Sequence, residues 1–190
     1  MIGAVVLAAG RSERMGRSKA DLPLPEGGSF LEAILAKLGR LRVGAVRVVV
    51  GPHDPRAGGD GIVVNPDPSR GMLSSVQCGL SSLPDEADAV LLWPVDHPRV
   101  EIGTVATLIA SFRAHTGASV IVPVHGGRRG HPVLFAGAVL AELSSLPWES
   151  SAAEVVHARA DRIEIEVDDP AIHDDIDDDA AYARAFGRPL

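Results

Sequence analysis

Four basic side chains lie close together near the N-terminus of a chain whose formal net charge is −7. They are Arg11, Arg14, Arg17 and Lys19. They follow Ala8-Ala9-Gly10, small residues that let a ligand approach the backbone closely. Successive N–H groups in such a loop can hold an anion, and the basic side chains can neutralise phosphate oxygens. The loop therefore indicates phosphate binding, with a basic turn exposed to solvent as the alternative.

The spacing within this loop disfavours two common phosphate-binding motifs. A Walker A loop needs Lys-Ser or Lys-Thr directly after its second glycine, whereas Gly16 is followed by Arg17-Ser18-Lys19. No Gly-x-Gly-x-x-Gly turn follows the first apolar segment, 2–8. P-loop ATPases and NAD-binding enzymes are therefore poor matches to this loop.

Carboxylates that could bind a cation occur at two places. Asp96 follows the most apolar segment of the chain, and five aspartates lie between positions 174 and 179. Mg²⁺ prefers one or two carboxylates together with phosphate oxygens and water. From the residues alone, Asp96 fits a metal ligand and an exposed turn aspartate equally well. The acidic run also fits a solvated helix start, where negative charge is favourable.

Apolar patterning predicts the elements that must position these groups. Short runs rich in β-branched residues predict strands over 2–8, 45–50, 62–64, 89–95 and 119–124. Alternation at 163–167 predicts a half-buried or edge strand. Helical spacing predicts helices over 31–38, 74–83, 102–112, 136–146 and 178–186, the first with a capping box at Ser29 and Glu32.

This alternation of strands and helices predicts an α/β fold in one domain, 1–190: a Rossmann-like, mainly parallel sheet with helices on both faces. In such folds ligands bind at the carboxyl ends of the strands. We therefore expect three loops, 10–19, 65–75 and 96–98, to meet on one rim.

Charge and composition restrict the partners. An acidic chain is a poor match for nucleic acid or an anionic membrane surface, although a local basic loop can still bind a small polyanion. Cys78 is the only cysteine, which rules out a disulfide within the chain and favours a packing role. No apolar stretch approaches the roughly 18 residues of a membrane helix. We expect a cytoplasmic protein.

The run LAAGRSERMGRSK at 7–19 resembles the signature loop of the MobA-like nucleotidyltransferases. That family belongs to the larger group with the nucleotide-diphospho-sugar transferase fold. Four further segments resemble the family in the same order: 70–80 (RGMLSSVQCGL), 94–98 (PVDHP), 130–135 (GHPVLF) and 175–177 (DID). The GHPVLF segment is typical of the branch that includes molybdenum cofactor cytidylyltransferase. Together the five segments span nearly the whole chain.

The resemblance implies transfer of a nucleoside monophosphate from a nucleoside triphosphate to a phosphorylated acceptor. It implies that Lys19 and Arg11 contact the triphosphate and that Asp96 and Asp177 hold Mg²⁺. The remaining residues it implies in nucleotide binding are Leu7, Ala8, Ala9, Gly10, Gly71, Met72 and Ser75. The family's Thr-Pro after the second aspartate is replaced here by Asp178-Asp179, so which aspartate binds the metal stays open.

The resemblance also implies the substrates. Ala9 resembles the cytidylyl-transferring branch, because guanylyl-transferring members tend to carry glycine there, and CTP is favoured. The implied acceptor is molybdopterin, beside His97 and His131, although His131 fits a satisfied turn histidine as well. A molybdenum hydroxylase would receive the product. A sugar phosphate or other metabolite phosphate as acceptor, and a non-catalytic molybdenum cofactor carrier, remain alternatives.

Overall fold

The computed structural model describes residues 1–10 and 17–190. Its strands are β1 (Ile2–Leu7), β2 (Ala45–Val50), β3 (Ile62–Val64), β4 (Ala89–Pro94), β5 (Val120–His125), β6 (Arg128–Arg129), β7 (Val133–Ala136) and β8 (Ile163–Glu166). Its α-helices are α1 (Phe30–Arg40), α2 (Met72–Ser81), α3 (Ile102–Ala114), α4 (Ala138–Ser145), α5 (Ala152–Ala158) and α6 (Asp179–Phe186). None of the helices in these two ranges is both long and apolar enough to cross a membrane.

The strands form one mixed sheet in the order β3-β2-β1-β4-β7-β5-β6, with β8 paired to β5. β1 lies parallel to both β2 and β4, β2 lies parallel to β3, and β8 runs parallel to β5. Among the described strands, β7 and the two-residue β6 run opposite to the others: β7 is antiparallel to β4 and β5, and β6 is antiparallel to β5. The α/β class and the mainly parallel sheet predicted from the sequence are confirmed.

Side chains of the central strands alternate between two apolar layers. Ala4 and Val6 of β1 face the layer that contains α1, α3 and α6, while Val5 and Leu7 face the layer that contains α2, α4 and α5. Strands buried on both faces read as continuous apolar runs, which is why β1 and β4 carry almost no polar residue. Helices therefore cover both faces of the sheet, as the sequence predicted.

Local signals set several helix ends. Ser29 Oγ accepts from Glu32 N at 3.3 Å, and Glu32 Oε2 accepts from Ser29 N at 2.7 Å, which confirms the capping box at the start of α1. Gly71 precedes α2 with φ of 94°, in the region that favours glycine. Because of that sharp entry, α2 begins at Met72 rather than at position 74.

The second half of the chain departs from the sequence prediction. The expected helix over 136–146 begins only at Ala138, since Ala136 still belongs to β7. β6, β7 and α5 were not predicted from the sequence. They are short, and β6 and β7 are separated by Gly130, His131 and Pro132, so no periodic pattern is long enough to reveal them. The antiparallel β7 places the 130–135 segment next to β4.

Candidate active site

The three loops expected on one rim meet at the carboxyl ends of β1 and β4. They surround a cavity of about 170 Å³. Nine of the predicted site residues line it: Leu7, Ala8, Ala9, Gly10, Lys19, Gly71, Met72, Ser75 and Asp96. Arg11 falls within 11–16, outside the described residues, so its predicted role stays a prediction.

A lysine and a carboxylate lie at the centre of this rim. Lys19 Nζ donates to Asp96 Oδ2 at 2.8 Å, although the two residues are 77 positions apart. His97 Nδ1 lies 3.0 Å from Asp96 Oδ1 and acts as the donor, because an ionised carboxylate can only accept. Burial alone would raise the pKa of Asp96, but the His97 hydrogen bond and the Lys19 charge outweigh it and hold that pKa well below its usual value. The carboxylate is therefore ionised at neutral pH.

Backbone hydrogen bonds hold Asp96 in place. Val95 N donates to Leu7 O at 3.0 Å, which ties the end of β4 to the end of β1. Ile176 N donates to Asp96 O at 3.2 Å, bringing the acidic segment to the same point. The buried Trp93 indole donates to His97 O at 3.1 Å. Asp96 is thus presented by a rigid turn rather than a solvated loop.

Asn65 is a structural residue of the site that the sequence analysis missed. It is buried, and its Nδ2 donates to Ser74 Oγ at 2.8 Å and to Ser75 Oγ at 2.9 Å. Its Oδ1 accepts from Asp67 N at 3.0 Å. These contacts join the end of β3 to the first turn of α2. The available signal was a polar amide directly after an apolar strand.

The acidic run divides into residues with separate roles. Asp178 caps α6 by accepting from Ala181 N at 2.7 Å, and Asp174 pairs with Arg99 at 2.9 Å. Asp175 is electrostatically close to Asp96: desolvation and then the Asp96 charge raise the pKa of the Asp175 carboxyl. Asp175 and Asp177 therefore remain as candidates for a second metal ligand, and Asp177 does not line the 170 Å³ cavity.

The described residues include carboxylates that could bind a cation, but they do not form a complete set of protein ligands around one. No group of three or more His, Cys, Asp or Glu side chains within 1–10 and 17–190 is arranged to hold a metal ion. An ionised Asp96 beside a candidate phosphate site fits Mg²⁺, which binds through few carboxylates and completes its shell with substrate phosphates and water.

A second cavity, of about 460 Å³, lies beside the first and shares Gly71, Met72 and Pro94 with it. His131 lines this cavity, and its ring lies 4.8 Å from that of His97. Burial, and then the neighbouring His97, lower the pKa of His131 to about 4, so the ring is neutral at pH 7. Its Nδ1 is buried without a hydrogen-bond partner among the described residues. His97, the other predicted acceptor residue, lines neither cavity and contacts Asp96 instead.

Comparison with known proteins defines first the class of fold and then the family. The Rv0371c protein of Mycobacterium tuberculosis H37Rv superimposes with a TM-score of 0.83 at 28% identity, covering 98% of this chain and 97% of that one. Its complex with manganese gives a TM-score of 0.79 at 26% identity, covering 98% of each chain. The fold is that of the nucleotide-diphospho-sugar transferases.

The model of the MobA-like NTP transferase domain matches residues 4–163. The chain therefore belongs to the MobA-like NTP transferase family, as its sequence motifs indicated. A molybdenum cofactor guanylyltransferase from Xanthomonas euvesicatoria is 35% identical over 106 residues, which are 56% of this chain and 52% of that protein. The match thus spans about half the length of that curated relative.

Proposed function

We propose that this chain is a nucleotidyltransferase that moves a nucleoside monophosphate from a nucleoside triphosphate to a phosphorylated acceptor and releases pyrophosphate. The observation that carries the proposal is the Lys19–Asp96 pair, which lies beside one of two contiguous cavities. Family membership supports the same chemistry. Two neighbouring cavities that share Gly71, Met72 and Pro94 in their walls suit a reaction between two substrates.

The proposed reaction is an in-line displacement at the α-phosphorus. An oxygen of the acceptor phosphate forms a new P–O bond, and the bond to the β-phosphate oxygen breaks, leaving pyrophosphate. A phosphate monoester is already a nucleophile at pH 7, so no strong general base is needed. Alignment and charge neutralisation are then the protein's main contributions. Lys19 would stabilise the negative charge that develops on the transferred phosphate.

Asp96 would hold the divalent cation, with Asp177 or Asp175 as a second ligand. When bound, Mg²⁺ would neutralise phosphate charge and orient the triphosphate. The manganese complex of the Rv0371c protein supports a divalent cation in this group of structures. Lys19 must then exchange part of its contact with Asp96 for contacts with the triphosphate.

We propose CTP as the nucleotide. Ala9 is buried and lines the 170 Å³ cavity, where a methyl group would narrow the space that a purine needs. The curated relative is a guanylyltransferase, which makes GTP the second candidate. The base preference thus depends on one methyl group and can be tested by removing it.

We propose molybdopterin as the acceptor and a molybdenum hydroxylase as the recipient of the product. The neutral His131 lines the 460 Å³ cavity, and its Nδ1 has no hydrogen-bond partner among the described residues, which makes it our candidate for contact with that acceptor. In the alternative with a sugar phosphate or other metabolite phosphate as acceptor, the reaction is the same, but that phosphate and not molybdopterin occupies the 460 Å³ cavity. A non-catalytic cofactor carrier would bind the acceptor without releasing pyrophosphate.

The test is pyrophosphate release with CTP, GTP, ATP and UTP, with and without Mg²⁺, in the presence of molybdopterin. Lys19→Ala and Asp96→Ala should each lower turnover at least about a hundredfold, because each removes one preorganised charge contact. Arg113→Ala, an exposed charge at the end of α3, is the matched control and should retain full turnover. Normal turnover in a folded Asp96→Ala variant would show that this carboxylate is not a ligand. Tight acceptor binding without any pyrophosphate release would establish the carrier alternative.

The nucleotide preference has its own experiment. Ala9→Gly should shift the ratio of kcat/KM for CTP over GTP toward GTP, because it restores space beside the base. If the unmodified chain already prefers GTP, the cytidylyl assignment is wrong while the transferase assignment stands.

A further inference from the structure

The 460 Å³ cavity has an apolar floor. Leu92 of β4, Val122 of β5, and Val133 and Phe135 of β7 form it, and all four side chains are buried. Helix α2 and helix α5 form its walls. A ligand body held between them gives up its contacts with water and gains few hydrogen bonds in return. The cavity therefore favours a body with apolar faces, such as an aromatic ring, over a saturated ring that carries hydroxyls.

An exposed tryptophan lies at the edge of this cavity. Only 4% of the chain is aromatic, and it contains two tryptophans. Trp93 is completely buried, whereas Trp148 keeps 45% of its surface exposed while lining the cavity. The Arg70 guanidinium lies 5.4 Å from the centre of the Trp148 ring, within range of a cation–π contact. This contact joins the start of α2 to the segment before α5.

Positive charge marks the same cavity in an otherwise acidic chain. Two arginines, Arg70 and Arg129, line it against one acidic side chain, Glu149. A ligand with one anionic end and a flat body would match both the charges and the floor. The cavity shares Gly71, Met72 and Pro94 with the 170 Å³ cavity, so the anionic end of such a ligand would lie on the side that faces Lys19 and Asp96.

We propose that Trp148 and Arg70 are the acceptor-specificity residues of this chain. The Trp148 indole is the stacking surface for a planar, fused-ring acceptor, and Arg70 holds the indole in place and contributes positive charge toward the acceptor's anionic group. This inference rests on the proposed function and places the acceptor's ring against the Trp148 indole. It selects against a sugar phosphate, because hydroxyls on the sugar ring would be pressed against the indole and the apolar floor, and each one buried without a partner costs about 1–3 kcal/mol, whereas a fused aromatic ring keeps its polar groups at its edge.

The experiment is isothermal titration calorimetry on the full chain with two probes. Pterin-6-carboxylate has a flat fused ring with an anionic group, and glucose 1-phosphate has a hydroxyl-rich ring with a phosphate. We expect the pterin to bind and the sugar phosphate not to bind. Trp148→Ala should weaken pterin binding about tenfold or more, as loss of a stacking partner does. Trp148→Phe should restore most of the affinity.

The controls separate stacking from general disturbance of the fold. Val64→Ala truncates another exposed apolar side chain, on β3, and should leave pterin affinity unchanged. Arg70→Lys keeps the charge but loses the planar group that stacks on the indole, and should weaken pterin binding less than Arg70→Ala. Melting temperatures of all variants show whether they remain folded.

Nucleotide binding is measured separately, as the thermal shift with CTP, GTP, ATP and UTP in turn, each with Mg²⁺. Equal pterin affinity in Trp148→Ala and the unmodified chain, or preferential binding of glucose 1-phosphate, would overturn the inference and leave the transferase proposal standing. If pterin binding depends on Trp148 but no nucleotide raises the melting temperature, the role of Trp148 in stacking stands and the transferase proposal is refuted. Absence of pterin binding to the unmodified chain also refutes the inference.

Discussion

The first turn of helix α2 lines the 170 Å³ cavity, and the position of this helix depends on one glycine. Gly79 lies in α2 against the central strands. A Cβ atom at this position would lie 2.4 Å from Val5 Cγ1, 3.0 Å from Val5 Cγ2 and 3.1 Å from Val49 Cγ2. Carbon atoms in contact prefer about 3.5–4.0 Å. Gly79→Ala therefore requires α2 to move away from β1 by about 1 Å.

The strand cannot make this room, since Val5 and Val49 are fully buried and β1 is held on both sides by β2 and β4. Overpacking of a core costs about 1–3 kcal/mol, occasionally more. Alanine is more favourable than glycine inside a helix by about 1 kcal/mol, which offsets part of this cost. A carbon–carbon contact of 2.4 Å puts the overpacking cost at the upper end of that range, about 3 kcal/mol, so we expect a net loss of about 2 kcal/mol in the free energy of unfolding. For a chain of this length that loss lowers the Tm by roughly 4–8 °C.

Calorimetric or spectroscopic melting of Gly79→Ala measures the effect directly. Gly39→Ala is the matched control, because Gly39 also lies near the end of a helix but a Cβ there meets nothing within 4 Å. The control should be neutral or slightly stabilising. Since α2 begins at Met72 beside the cavity, Gly79→Ala should also raise KM for the nucleotide. A Tm equal to or above that of Gly39→Ala would refute the proposed close packing of α2 on β1.

Two further predictions concern residues outside the cavities. Asp169→Asn should destabilise the fold by about 1–3 kcal/mol in chemical denaturation. The buried carboxylate accepts hydrogen bonds from Thr104 Oγ1 and from two backbone N–H groups. An amide would replace one of its acceptor oxygens with a donor. The exposed neighbour Asp168 provides the control, and equal effects of Asp168→Asn and Asp169→Asn would contradict this reasoning. Ser29→Ala should cost about 1 kcal/mol through loss of the α1 cap, whereas Ser29→Asp should retain stability; equal melting of both variants would argue against the cap.

Local patterns in the sequence were sufficient to predict the class of fold. Apolar runs revealed β1, β2 and β4 because strands buried on both faces carry little else. The capping box at Ser29 specified the start of α1, because it involves only residues within one helical turn. The order of five short motifs indicated the family, which the domain match over residues 4–163 confirms. The cytidylyl preference and the roles of the site residues stay predictions.

The rim of the site followed from one general rule, since the carboxyl ends of parallel strands meet on one edge. That rule brought the loops at 10–19, 65–75 and 96–98 together, as the 170 Å³ cavity shows for their described residues. It could not specify which atoms touch. The contact between Lys19 and Asp96 depends on how β1 and β4 pair, not on any local spacing.

Only the tertiary structure decided the features built from short or distant segments. β7 and α5 carry too few residues for a periodic signal, yet they complete the larger cavity. Asn65 showed no chemistry of its own until folding placed it against the first turn of α2. Trp148 reads as an isolated aromatic in sequence and becomes a cavity wall only through packing. Local periodicity is set by each segment's own burial, whereas cavities and paired charges depend on which segments the sheet brings side by side.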